Sequence, residues 1–177
     1  MKAASLPNKK LLIDKQEIAA HIRKLAAQLK QDYAGKDLVI VMVLKGALCF
    51  VADLIRELDF SFAIETIQCS SYNGTQRGSL QVIGADRLSL HNRDVLLIDD
   101  IFDSGQTMTT LLNTLKSQQP RSLKSCVLLY KKNVPKVTPY RPDYVLFDID
   151  NLFVIGYGLD YQEQYRGLPS IYTLEAP

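Results

Sequence analysis

The sequence contains no run of about 18 apolar residues, so no segment reads as a membrane-spanning helix. Met1 to Lys10 is polar and basic, and no apolar signal core follows it, so no secretory signal is expected. Cysteine is scarce: Cys49, Cys69 and Cys126 are odd in number, widely spaced and never arranged as CxxC. That argues against a disulfide framework or a zinc site, and for reduced, structural thiols in a cytoplasmic protein. An excess of one charge sign is lacking too. A net charge of +2 gives no reason to expect a nucleic-acid partner or an anionic membrane. No internal repeat, linker or low-complexity tract appears, and the GxxxxGK[ST] phosphate loop of NTPases does not occur.

What is present is a 177-residue chain with an ordinary apolar fraction and well-mixed charges, enough for one compact domain with a real core. Asp14 followed by Glu17 reads as a variant capping box. Ile18, Ile22, Leu25 and Leu29 then recur at helical spacing, with Gly35 as the stop. Leu38 to Leu44 is a continuous apolar run of strand length, the pattern of a strand covered on both faces. A helical pattern follows Lys45-Gly46 through about Leu58, and an extended segment runs from Phe62 to Cys69. Ser70 to Ser79 is polar with a turn signal at Asn73-Gly74. It reads as a hairpin loop or, given its length, Arg77 and two glycines, as a mobile lid.

Ser79 to Gly84 returns as a strand, and Val95 to Ile98 is a further buried one. Met108, Leu111, Leu112 and Leu115 mark a helix ending near Pro120. Cys126 to Tyr130, Tyr144 to Ile149 and Phe153 to Ile155 complete the strands. This alternation predicts an α/β fold with an open, mostly parallel central sheet flanked by helices.

The segment Val95 to Thr107 carries the chemistry. A buried strand runs into adjacent carboxylates, Asp99 and Asp100, and a short loop of Asp103, Ser104 and Gly105 opens a helix at Gln106 and Thr107. Ligands of open α/β sheets bind beyond the carboxyl ends of the strands. Backbone N–H groups at a helix N-terminus make an anion site suited to a phosphate monoester. Gly105 lets the backbone approach, and the hydroxyls of Ser104 and Thr107 add donors. At least one of Asp99 and Asp100 can face the site, to accept from sugar hydroxyls or to hold metal-bound water. The simpler use of Asp103 or Ser104 is as a helix cap.

This stretch resembles the phosphoribosyl-diphosphate-binding signature of the type I phosphoribosyltransferases: an apolar strand, two acidic residues, two apolar residues, then Asp-Ser/Thr-Gly-x-Thr. The rest of the chain narrows the likeness to the hypoxanthine-guanine branch of that family. Val43-Leu44-Lys45-Gly46 is similar to its diphosphate loop, Ser71-Tyr72 to its lid, and Leu128-Leu129-Tyr130-Lys131 to the strand ending in its base-reading lysine. Pro142-Asp143-Tyr144 and Phe153 to Tyr161 are similar to its purine-binding segment, and Arg166-Gly167-Leu168 to the Arg-x-Leu that follows. The likeness runs from about Leu11 to Leu174, with the motifs in family order. Two positions depart from it: Asp99 stands where many members carry Glu, and Phe102, read as a packing residue, replaces a usual aliphatic.

The resemblance implies the type I phosphoribosyltransferase fold within a single domain, 1–177. Its core would span about 36–158, under a small hood made by about 1–33 and 159–177. It implies transfer of the 5-phosphoribosyl group from 5-phosphoribosyl 1-diphosphate to N9 of hypoxanthine or guanine, with Mg2+ neutralising the leaving diphosphate. Asp103 would act as general base toward the purine. Ser104, Gly105, Gln106 and Thr107 would cradle the 5′-phosphate. Asp99 and Asp100 would serve ribose and metal, and Lys45, Gly46 and Arg166 the diphosphate, with the Lys45–Gly46 peptide cis. Lys131, or Lys132 one residue on, would donate to the 6-oxo group, which disfavours adenine. Phe153 would stack on the base and the Val154 backbone would read its edge. Asp160 would lie near the 2-position or a second Mg2+. Ser71 and Tyr72 would close the lid. His21 and His91 have no such context and read as surface or structural. A homodimer or homotetramer is expected. The alternatives are a xanthine-accepting relative and an RNA-binding regulator of pyrimidine genes with the same fold, which would need a basic surface.

Overall fold

A computed structural model describes residues 8–71 and 80–174 of the chain, without the side chains of 70 and 71. The continuous apolar run becomes strand β2 (Leu38–Leu44), which lies parallel to and beside β5 (Asp94–Phe102) at the centre of a six-stranded sheet. Beyond β2 come β3 (Ala63–Ser71) and the antiparallel edge strand β4 (Leu80–Ile83). Beyond β5 come β6 (Ser122–Lys131) and β7 (Tyr144–Ile149), both parallel to it. The order is β4-β3-β2-β5-β6-β7, so the winding direction reverses between β2 and β5.

Both faces of the central strands are covered, which is why their sequences do not alternate. Leu38, Ile40, Met42, Leu96 and Ile98 pack toward α1 (Lys15–Tyr33) and α2 (Leu48–Glu57). Val39, Val41, Val43, Val95 and Leu97 face Met108, Leu111 and Leu115 of α3 (Gln106–Lys116). Helix α1 starts where Asp14 Oδ1 accepts from Gln16 N–H at 2.8 Å, and Ile18, Ile22, Leu25 and Leu29 are buried as the spacing required. Strand β5 runs four residues past the expected Ile98, so Asp99 and Asp100 belong to the paired strand, opposite Val127 and its neighbours in β6.

Two strands escape the sequence pattern. Lys9–Ile13 (β1) and Ile171–Leu174 (β9) pair antiparallel with each other, and β9 pairs on its other edge with the two-residue β8 (Val154–Ile155), in a separate three-stranded sheet. The first and last described strands thus meet. Helix α1, expected in the hood, packs instead against α2 and β7, because its apolar stripe has the main sheet's apolar face to cover. Ile13, Val154 and Ile171 join the same apolar cluster as α1 and α2, so the small sheet is continuous with the core. No helix among the described residues is long and apolar enough to cross a membrane.

Candidate active site

Adjacent parallel strands that wind apart leave a crevice beyond their carboxyl ends. Here the chain leaving β2 is Lys45-Gly46 and the chain leaving β5 is Asp103 to Gly105. Both line a cleft of about 360 Å³ together with Asp99, Asp100, Gln106, Thr107, Asp160 and Arg166. Eleven residues proposed from sequence, drawn from three separate stretches of chain, therefore share one cavity.

Neither Asp103 nor Ser104 is the cap residue of α3, so the simpler use of the two does not apply. The cap residue is Gly105, with φ +89° and no side-chain bond to the first turn. An α-helix leaves its first N–H groups without intrahelical acceptors, and its positive dipole end favours an anion there. The Ser104 hydroxyl accepts from Gln106 N–H only at 3.4 Å, a long contact. A Cβ on residue 105 would lie 2.6 Å from Phe102 Cζ and 2.9 Å from a Thr138 methyl, so a side chain is excluded on steric as well as conformational grounds. Phe102 is itself buried and stacks on Tyr130 at 5.3 Å.

The β2 loop is equally tight. A Cβ at Gly46 would fall 1.7 Å from Asp100 Oδ2, so the backbone passes directly over that carboxyl. The cis peptide is Leu44–Lys45, one residue before the expected Lys45–Gly46 bond. The close approach falls on Gly46, the residue with no side chain to obstruct it.

Asp99 and Asp100 are the electrostatic centre. Asp99 Oδ1 accepts from the Asp100 N–H at 2.9 Å, and Asp100 Oδ1 from the Ile101 N–H at 2.8 Å. Burial, and then the neighbouring Asp100 charge, push Asp99 well above the usual carboxylate range; burial also pushes Asp100 up. No group of three or more His, Cys, Asp or Glu residues among the described residues converges as a metal cage. A pair of buried carboxylates short of compensating charge suits a hard divalent cation that keeps further oxygen ligands from water or from a phosphorylated substrate.

The cations around the cleft are tethered. Arg166 donates to Gly158 O at 2.8 Å and to Asp160 Oδ1 at 2.8 Å, while Lys45 Nζ donates to Glu163 Oε2 at 2.9 Å. Lys131 is not among the lining residues but adjoins them, its ammonium 2.9 Å from Asp103 Oδ2. Lys132 points elsewhere, 3.8 Å from Asp150. Phe153 and Val154 also lie outside the lining. The Phe153 ring is exposed and meets Tyr161 edge-on at 5.7 Å, and Val154 is buried in the small sheet. Ser71 ends β3 with its side chain outside the described residues, and Tyr72 lies wholly outside them. His91 is exposed, and the His21 ring packs on Phe147 at 4.3 Å.

A strand order reversing at β2/β5, with a helix N-terminus and a Lys-Gly loop meeting over an acidic pair, is the setting for a phosphorylated ribose. Residues 10–162 match the model of the phosphoribosyl transferase domain. The chain belongs to that family.

Within the phosphoribosyl transferase family it is similar to the hypoxanthine-guanine-xanthine phosphoribosyltransferase of Tritrichomonas foetus, 40% identical over 94% of this chain and 91% of that one. Among solved structures it is similar to a hypoxanthine phosphoribosyltransferase from Staphylococcus aureus, with TM-score 0.86 and 40% identity over 94% of this chain and 91% of that one. It is also similar to the Trypanosoma cruzi hypoxanthine phosphoribosyltransferase in complex with IMP, with TM-score 0.87 and 35% identity over 99% and 98% of the two chains. The fold is the one these phosphoribosyl transferases share.

Sequence reasoning missed two side chains that organise the site. Lys136 Nζ donates to Asp103 O at 2.6 Å and to Lys131 O. Glu163 bridges Lys45 and Arg166. Neither sits in a motif. Lys136 is bonded to backbone carbonyls, which every residue type carries, and Lys45 is 118 residues from Glu163, so no local pattern marks either.

Proposed function

We propose that this chain transfers the 5-phosphoribosyl group from 5-phosphoribosyl 1-diphosphate to N9 of hypoxanthine or guanine, giving IMP or GMP and diphosphate. The observation that carries the reading is the convergence of the Gly105-capped helix, the Lys45-Gly46 loop and the Asp99–Asp100 pair in one cleft. The start of α3 suits the 5′-phosphate. Lys45 and Arg166 supply positive charge for the diphosphate. Asp99 and Asp100 take the ribose hydroxyls and would hold Mg2+, which when bound supplies charge neutralisation for the leaving group. Asp103 accepts the proton that the purine sheds as N9 bonds to the anomeric carbon, and Lys131 donates to the 6-oxo oxygen. Phe153 and Val154 complete the base site, with Asp160 toward the 2-position. Ser71 and Tyr72 close over it and keep water from the cation-like sugar.

The three free cysteines are in keeping with a reducing, cytoplasmic setting. The reading extends to a homodimer or homotetramer, which light scattering would report. A second reading, acceptance of xanthine as well, is favoured by the likeness to the Tritrichomonas foetus protein.

A spectrophotometric assay with the sugar donor, Mg2+ and each of hypoxanthine, guanine, xanthine, adenine and uracil tests both. Turnover of hypoxanthine or guanine is expected and of adenine is not. Turnover with uracil alone would overturn the proposal.

A further inference from the structure

The turn at Tyr161–Gln164 is built from residues poorly suited to it. Tyr161 N–H donates to Gln164 O at 3.1 Å and Gln164 N–H returns to Tyr161 O at 3.0 Å, closing a two-residue hairpin turn. Its central residues, Gln162 and Glu163, both have left-handed φ, +52° and +61°. Two successive left-handed residues characterise a type I′ turn, whose central positions favour Asn and Gly. Non-glycine residues held in this region cluster at ligand clamps, where a side-chain contact offsets the backbone strain.

The Glu163 side chain makes such a contact. Its Oε2 accepts from Lys45 Nζ at 2.9 Å and its Oε1 from Arg166 at 3.2 Å. One carboxylate thus bridges a cation from the β2 loop and a cation from the C-terminal segment, placing one oxygen on each as a phosphate would. The hydrogen bond from Lys45, and then the Lys45 and Arg166 charges, hold Glu163 below the usual carboxylate range. Arg166 does not depend on Glu163 alone for its position, since its Nη1 donates to Gly158 O and its Nη2 also pairs with Asp160 at 2.8 Å. Its Nε is buried without an acceptor among the described residues. The Glu163 side chain is 67% exposed and can swing away without unpacking the core.

We propose that Glu163 is an intramolecular counter-anion of the diphosphate subsite: it occupies Lys45 and Arg166 while the cleft is empty and is displaced when a diphosphate enters. The inference rests on the diphosphate reading of Lys45 and Arg166. Because each binding event must break the Glu163 pairs, the carboxylate weakens donor binding and speeds release of the diphosphate product. It thereby sets the affinity of the subsite.

The test is calorimetric titration of magnesium diphosphate into the wild type, Glu163→Gln and Glu163→Gly. Gln removes the charge at constant length, while Gly removes the carboxylate and suits the left-handed backbone, so at least one folded variant is available. Both are expected to bind about three- to tenfold more tightly, the worth of one or two exposed ion pairs. The donor KM should fall in parallel, diphosphate inhibition should strengthen, and the gain should shrink in about 1 M salt. If Glu163 only positions Arg166, the variants bind more weakly; that result, or unchanged affinity, overturns the inference while leaving the subsite reading intact. A wild type that does not bind magnesium diphosphate overturns both.

Discussion

The ammonium of Lys131 stands 2.9 Å from Asp103 Oδ2, so a hydrogen-bond donor and a proton acceptor lie side by side at the edge of the cleft. A 6-oxopurine carries its 6-oxo oxygen and N7 side by side on one edge. On the proposed reading the pair would match that edge, with Lys131 donating to the oxygen and Asp103 taking a proton from the ring. Here the two groups satisfy each other, and on that reading a purine would exchange this ion pair for two hydrogen bonds to the base.

Asp103→Asn removes the proton acceptor and keeps the size. The expected result is a fall in kcat of about 10²- to 10⁴-fold, the usual worth of a general base. The KM for the sugar donor should stay within a few-fold, because donor binding falls to other residues. Steady-state kinetics checks both quantities, and an unchanged kcat removes Asp103 from the chemistry.

Asp99→Asn tests the acidic pair through its pH dependence. The folded chain holds Asp99 above the usual carboxylate range, chiefly by burial. A carboxyl with a raised folded-state pKa contributes stability below its unfolded value and loses it as pH rises through the folded value. At neutral pH, without Mg2+, keeping the Asp99 carboxyl in this buried position therefore costs stability. The Asn variant, whose carbonyl can still accept from the Asp100 N–H, should melt a few degrees higher. That advantage should vanish below about pH 4, where the unfolded carboxyl is protonated as well. Added Mg2+ should raise the melting temperature of the wild type more than that of the variant. Calorimetry across pH, with and without Mg2+, reads all three effects.

Gly46→Ala places a methyl carbon where Asp100 Oδ2 now lies, 1.7 Å from the ideal Cβ position. The Asp100 carboxyl cannot simply rotate away, since its other oxygen holds the Ile101 N–H. A loss of about 1–3 kcal/mol, typical of overpacking, is expected together with loss of activity. Adding Asp100→Ala should restore much of the stability and none of the activity. A double-mutant cycle on melting temperature and kcat separates the steric effect from the chemical one, because residues in contact are non-additive.

The parts of this molecule that declare themselves in sequence are those whose physics is local. β2 was legible because a strand buried on both faces must be continuously apolar, and α1 because its cap and stripe obey fixed spacings. The turn from Asp103 to Thr107 into α3 was legible because a glycine among polar residues marks a tight backbone turn at a helix start. β1 and β9 were not: β1 gains a strand identity from the far end of the chain, and β9 from β1 and the two-residue β8. The length of β5 was hidden for a related reason: Asp99 and Asp100 look like a loop until β6 is there to pair with them. Lys136 and Glu163 stayed invisible because each joins a near neighbour to a group from a distant segment, Asp103 O for Lys136 and Lys45 for Glu163.

Lys136 supports a last prediction. Its ammonium joins Asp103 O and Lys131 O, tying the loop after β5 to the end of β6, and it lies 4.6 Å from the centre of the Tyr130 ring. Val137 N–H adds a bond to Ser104 O at 3.0 Å, so residues 136–137 brace the loop of Asp103 to Gly105. Lys136→Met keeps the apolar stem over the ring and removes both charged hydrogen bonds, each worth about 1.5–3 kcal/mol. Asp103 and Lys131 would then lose their fixed spacing, and misplacing reacting groups by an ångström costs about 10²-fold. The expected outcome is a rise in purine KM and a fall in kcat, with the affinity for magnesium diphosphate unchanged because Lys45 and Arg166 are held by other contacts. Lys136→Arg, which keeps a charged donor, should recover part of the loss. If Lys136 served only general stability, diphosphate affinity and purine KM would suffer together.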